Sequence, residues 1–120
     1  MNPTIFGPIE TRFADLVWQN APLSTRALIE LCQKELDWKR TTTYTVLKKF
    51  CERGLFAMED RTVTVLVTKA EFLSIQSHKF VEETFQGSLP AFVAAFSSHR
   101  KLSQEDLAQI RQLLDSFEGG

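Results

Sequence analysis

Residues 62–65 read Thr-Val-Thr-Val, a strict polar–apolar alternation. A side-chain period of two fits a half-buried strand and does not fit a helix. Leu55–Met58 is a second short apolar run, and Glu59-Asp60-Arg61 separates the two. Three residues suffice only for a tight hairpin tip. The segments therefore read as strands over Leu55–Met58 and Thr62–Val67. A two-stranded hairpin is at best marginally stable alone in water, so it must lie on other elements.

The sequence before the hairpin has helical spacing. Pro3, Gly7 and Pro8 form a loose lead. Ile9, Phe13, Leu16 and Val17 then fall on one face of a helix over Ile9–Asn20, which Asn20-Ala21-Pro22 stops. Ser24 is a suitable N-cap for a second helix, Thr25–Leu36, with Leu28, Leu31, Cys32 and Leu36 as its inner stripe. Asp37-Trp38-Lys39-Arg40 reads as a turn. A third helix follows over Thr41–Arg53, with Thr43, Leu47 and Phe50 inward, Val46 at the edge and Gly54 as its stop. Three β-branched threonines in a row are poor interior helix formers and belong in the first turn. Three helices followed by a hairpin is the order of a winged helix-turn-helix.

The sequence after the hairpin is helical again. Thr68-Lys69-Ala70-Glu71 is a capping box. It opens a helix to Gln86 carrying Phe72, Ile75, Phe80 and Phe85, and Gly87 ends that helix. Ser88, with Pro90 just inside, starts a short helix to Ser98 whose inner face is Phe92, Val93 and Phe96. Ser103-Gln104-Glu105-Asp106 starts a last helix lined by Leu107, Ile110, Leu113, Leu114 and Phe117. Six of the ten phenylalanines lie in this half. Three short amphipathic helices cannot easily bury that much apolar surface alone, and packing on the same helices of a second chain is the simplest solution. The expected dimer interface is Phe72, Phe80, Phe85, Leu89, Phe92, Val93, Phe96, Leu107, Ile110 and Leu114. The expected fold is mainly α with a small β-hairpin: a winged helix-turn-helix DNA-binding domain over 9–67 and a helical dimerisation domain over 68–118.

Charge narrows the function. A net charge of −1 argues against a protein that coats nucleic acid without selectivity. The charge is uneven, however: Lys39, Arg40, Lys48, Lys49 and Arg53 are opposed only by Glu52. A recognition helix offers its N-terminal residues to base edges in the major groove. Here Thr41, Thr42, Tyr44 and Thr45 lie off the apolar face and are the candidate base readers, with Tyr44 able to contact a base or a phosphate. A threonine donates or accepts a hydrogen bond and packs its methyl on that of thymine. Lys39, Arg40, Lys48, Lys49 and, at the wing tip, Arg61 are the candidate phosphate contacts.

Other chemistry is not expected. There is no nucleophile–base pair, Gly-rich phosphate loop or pocket of paired carboxylates, so neither catalytic residues nor a cofactor is expected. His78 and His99 stand apart without other ligand types at metal-site spacing. Trp18 and Trp38 read as core or boundary anchors. Cys32 and Cys51 read as small core residues in a reducing compartment. Met1–Pro8 has no basic region leading into an apolar core, and no apolar run reaches the ~20 residues a membrane span needs. A cytoplasmic location is therefore expected.

Three blocks resemble the bacterial penicillinase-repressor family, which includes the methicillin-resistance repressor and the copper-responsive repressors. They are Leu16-Val17-Trp18; Asp37-Trp38 with Thr42, Thr45 and Gly54; and Phe85-Gln86-Gly87-Ser88-Leu89 through Phe92–Phe96 and Lys101–Leu107. The resemblance covers residues 9–117. It implies a homodimeric transcriptional repressor that binds a palindromic double-stranded DNA operator. The chain departs from the family in several places. Tyr44 stands where relatives usually carry a basic residue, and the wing tip is short and net acidic. The paired Cys-x-Cys ending of the copper branch is absent. Relatives in the antibiotic branch are inactivated by a sensor protease at an Asn-Phe pair in the helix matching Leu89–Phe96, where this chain has Ala95-Phe96. The alternative reading is a winged-helix protein-interaction module without direct DNA readout, which the near-neutral charge and acidic wing suit.

Overall fold

The computed structural model describes residues 7–118. Pro3 of the expected lead, and most of the Met1–Pro8 segment, lie outside the described residues. The elements are α1 (Pro8–Asn20), β1 (Leu23–Ser24), α2 (Thr25–Leu36), α3 (Arg40–Glu52), β2 (Phe56–Glu59), β3 (Thr62–Val65), α4 (Lys69–Phe85), α5 (Leu89–His99) and α6 (Gln104–Glu118). The fold is mainly α, with a winged helix-turn-helix in its first half. The chain divides into two compact units, one ending at Ser77 and the other beginning at His78. The division falls inside α4.

In the first unit, α1, α2 and α3 surround a core of Phe13, Val17, Leu28, Cys32, Leu47 and Phe50, closed by Phe56 and Val63 from the sheet. Ile9, expected to face inward, is half exposed. The inner face of α1 is Phe13, Ala14 and Val17, which leaves Ile9, one turn earlier, out in solvent.

The local chemistry that sets each element matches the residues. The Ser24 side chain accepts the Ala27 N–H at 3.0 Å and so caps α2. Thr68 and Glu71 form a reciprocal capping box. The Thr68 N–H donates to Glu71 Oε1 at 2.9 Å, and the Glu71 N–H donates to Thr68 Oγ1 at 3.1 Å. Donation to the carboxylate, from the Thr68 backbone N–H first and the Thr68 side chain second, favours its charged form and holds Glu71 below the usual carboxylate range. After α3, the Leu55 N–H reaches the Phe50 carbonyl and the Gly54 N–H reaches that of Cys51, both at 3.0 Å. This Schellman closure requires a left-handed residue, and Gly54 supplies it at φ +80°.

The sheet is three-stranded, in the order β1-β3-β2, and antiparallel throughout. The hairpin was legible in the sequence. β1 was not, because two residues carry no periodicity. Leu23 pairs with Val63 and Ser24 with Thr62, and the Thr25 N–H donates to the Arg61 carbonyl at 2.9 Å. The sheet therefore joins the start of α2 to the hairpin tip. Asp60 and Arg61 turn that tip with φ of 55° and 60°, the all-positive pair that a two-residue hairpin connection uses.

In the second unit, Ser88 accepts the Ala91 N–H and Ser103 accepts the Asp106 N–H, which starts α5 and α6 where the sequence places them. No residue of α5 or α6 is fully buried. No helix among the described residues is long and apolar enough to cross a membrane.

Two substitutions separate packing from backbone geometry. Phe50 is fully buried, and Phe50→Ala should lower the unfolding free energy by about 3–5 kcal/mol. A Cβ at Gly54 meets no atom within 4 Å, so Gly54→Ala should cost only its left-handed backbone, about 1–2 kcal/mol. Chemical denaturation measures both, and equal losses would contradict this packing account.

Candidate nucleic-acid interface

Helix α3 has two faces of opposite character. Thr43, Leu47 and Phe50 are no more than 2 % exposed and fix the helix to the core. Thr41, Thr42, Thr45, Lys48 and Lys49 are exposed on the other side. Thr43 is polar and buried without penalty, because its hydroxyl donates to the Lys39 carbonyl at 3.1 Å. It also bonds the Cys32 thiol, although burial dominates there and pushes the thiol above its ordinary range.

The exposed threonines differ in what they offer. The Thr45 hydroxyl donates to the Thr41 carbonyl at 2.9 Å. Its proton is engaged by the helix, so Thr45 presents outward an acceptor oxygen and a methyl group. Tyr44 is only half exposed. Its hydroxyl bonds the Thr25 side chain at the start of α2, which is the largest reason its phenol is held below the ordinary range. Arg40 and the charge of Arg61 act in the same direction. The Arg40 guanidinium carbon lies 5.7 Å from the centre of the Tyr44 ring, within cation–π range.

The basic candidates fall into two groups. Lys39, Arg40 and Arg61 belong to the N-terminal end of α3 and the hairpin tip. Lys48 and Lys49 lie about 12 Å further along the helix axis from Arg40. Lys48 is 4.0 Å from Glu52, with both side chains largely in solvent, a pairing too weak to hold the lysine away from a phosphate.

Arg40, Tyr44 and Arg61 line a cleft of about 590 Å³ together with Thr25, Arg26, Ile29 and Glu30 from α2. Reading the sequence along α3 missed the α2 side of this cleft. One signal was available. The first turns of α2 and α3 hold no acidic residue, although a helix N-terminus favours one. Both begin with an arginine within two residues instead.

The residues expected at the dimer interface separate. Phe72 packs in the first unit, half buried, with its ring 5.6 Å from that of Trp18. In the second unit Phe80, Phe85 and Phe92 contact one another edge-on at 5.6–5.9 Å. Phe85, Phe92 and Leu107 are half buried, whereas Phe80, Leu89, Val93, Phe96, Ile110 and Leu114 are exposed. Phe92, Val93, Phe96, Leu102, Ile110 and Leu113 line an open apolar groove of about 410 Å³ between α5 and α6.

Comparison with known proteins agrees with this geometry. A penicillinase repressor family model matches residues 6–116. The penicillinase repressor of Bacillus licheniformis is 23 % identical over 110 residues, covering 88 % of this chain and 86 % of that protein. The methicillin resistance regulatory protein MecI of Mammaliicoccus sciuri is 22 % identical over 110 residues, 88 % of this chain and 89 % of the relative. An uncharacterized 16.5 kDa protein in the ptsI 3′ region of Latilactobacillus sakei is 26 % identical over 103 residues, 82 % and 70 % of the two chains. A family match over nearly the whole length, on a winged helix-turn-helix whose third helix turns a polar face outward, means that this chain belongs to the penicillinase repressor family of DNA-binding transcriptional repressors.

Proposed function

We propose that the protein acts as a homodimer, each protomer reading one half of a palindromic operator with α3 in the major groove. The observation that carries the reading is the division of α3 between an anchored face and an exposed polar one. Thr41, Thr42 and Thr45 are the proposed base contacts. Thr45, with its proton held by the helix, suits a base-edge donor such as the amino group of adenine or cytosine, or the methyl of thymine. Lys39, Lys48 and Lys49 are proposed to hold backbone phosphates on either side, which fixes register without reading sequence.

Dimerisation through the second unit is supported by its surface. Phe96, Ile110, Leu113, Leu114 and Phe117 of α5 and α6 are all more than 40 % exposed. Exposed apolar side chains of this size and number are costly in water and suit a self-complementary interface. Such a dimer places its half-sites about 10 base pairs apart or at a multiple of that spacing.

Selection from a random-sequence duplex pool tests the DNA reading. The wild-type chain should recover an inverted repeat and bind it with a steep salt dependence. Replacing both Lys48 and Lys49 with Glu should abolish that binding at physiological salt while thermal stability stays near wild type. Undiminished binding by this variant, or recovery of no preferred sequence, would contradict the reading.

Sedimentation equilibrium of the full chain tests the assembly. The wild type should be a dimer at micromolar concentration, and the Phe96→Asp/Ile110→Asp variant a monomer with its first unit still folded. A wild-type monomer, or a variant that remains dimeric, would count against this interface.

A further inference from the structure

Two polar residues are buried among the described residues, Thr43 at 1 % exposure and Thr25 at 7 %. The hydroxyl of Thr43 is returned to the backbone just ahead of its own helix. Thr25, the first residue of α2, is joined to other elements instead. Its N–H donates to the Arg61 carbonyl at 2.9 Å, and its side chain bonds the hydroxyl of Tyr44 on α3. Arg40, one turn before Tyr44, lies with its guanidinium carbon 5.7 Å from the centre of the ring. Tyr44 is therefore engaged at its hydroxyl and at its ring, in both cases by its own chain. The large buried anchors of α3, Leu47 and Phe50, lie in the second half of the helix. Base contacts come from the first half of a recognition helix, and that is the half that Thr25 meets.

We propose that Tyr44 is a positioning residue and not a reader: its bond to Thr25 braces the first half of α3 on the start of α2, and Thr41, Thr42 and Thr45 alone select bases. The proposal rests on the reading of α3 as the DNA-binding helix and goes beyond it by assigning how the reading end of that helix is held. The hydroxyl is the one polar group of the Tyr44 side chain, and Thr25 sets its place. Thr25 is itself fixed, because its backbone is tied to the hairpin tip and its side chain is enclosed. A bond to a buried, fixed partner resists displacement more than one to a mobile surface group, since breaking it strands a polar atom away from water. The threonine thus joins α2, α3 and the hairpin at one point, and a shift of α3 at its reading end has to break the Thr25–Tyr44 bond.

The experiment compares Tyr44→Phe, Thr25→Val and their combination on the duplex that the wild-type chain selects. Each single variant should weaken binding about fivefold, the worth of one hydrogen bond. The combination should weaken it no further than either alone, and all three should select the wild-type sequence. Thr25→Ser, which keeps the hydroxyl, should bind as the wild type does. Tyr44 is the only tyrosine in the chain, so ultraviolet titration of the free protein reads its hydroxyl directly. The Thr25 bond favours the phenolate, and its loss in Thr25→Val should move tyrosinate formation to higher pH. A changed selected sequence in Tyr44→Phe would make Tyr44 a base reader. Weaker binding by Tyr44→Phe with Thr25→Val undiminished would make it a phosphate contact. Either result overturns the proposal while the α3 reading stands, as does a Thr25→Val variant whose tyrosine titrates like that of the wild type. If the wild-type chain selects no duplex, the α3 reading falls and the positioning role with it.

Discussion

A run of aromatic rings holds the first unit together. Trp38, in the turn before α3, stacks on Phe13 of α1 at 5.6 Å. Phe13 meets Phe50 of α3 at 5.3 Å, and Phe50 stacks on Phe56 of β2 at 5.3 Å. Phe56 meets Trp18 at 5.7 Å, and Trp18 meets Phe72 of α4 at 5.6 Å. Each such pair contributes about 0.5–1.5 kcal/mol beyond the area it buries. The run links the helix-turn-helix, the sheet and the start of α4 into one packed body. Trp18 is also tied by its indole N–H, which donates to the Val67 carbonyl at 3.0 Å. By comparison the Asp15–Lys69 ion pair, though 2.8 Å long, involves a half-exposed lysine and belongs to a class worth about 0–1 kcal/mol. Packing of rings therefore does more than the ion pair to hold the capped start of α4 against the first unit's core.

The consequence for function is orientation. With Phe50 and Leu47 fixed in the core and Trp38 fixed on Phe13, α3 cannot rotate about its axis without breaking the ring packing. Its exposed threonines therefore point one way. The reading head proposed for α3 would work only if its side chains were held in place by packing beneath them, and that packing is on the residues facing the opposite side of the same helix. The sheet holds the hairpin tip in the same manner. A two-residue strand and the Thr25–Arg61 hydrogen bond keep Arg61 beside Arg40 and Tyr44.

Much of this was legible in the sequence because periodicity and capping act locally. The Thr62–Val65 alternation located the hairpin, and Ser24, Thr68, Ser88 and Ser103 each marked a helix start that the hydrogen bonds bear out. The inward face of α3 followed from Thr43, Leu47 and Phe50 at helical spacing. What escaped depends on residues distant in the chain. β1 has two residues and exists only because β3 pairs with it. Ile9 has the right spacing but overshoots the core. Phe72 has the composition of the second unit yet packs on Trp18 of the first. Tyr44 sits among the outward residues of α3, and its contact with Thr25 requires knowing how α2 and α3 cross.

The central proposal is that one face of α3, together with the hairpin tip beside it, meets DNA while the aromatic core stays unchanged. Backbone amide NMR of the isotopically labelled full chain, titrated with its selected duplex, tests this most directly. The account predicts large shift changes confined to residues 25, 39–49 and 60–62, with Phe13, Phe50 and Phe56 unmoved. Changes centred elsewhere in the first unit, with α3 silent, would contradict it.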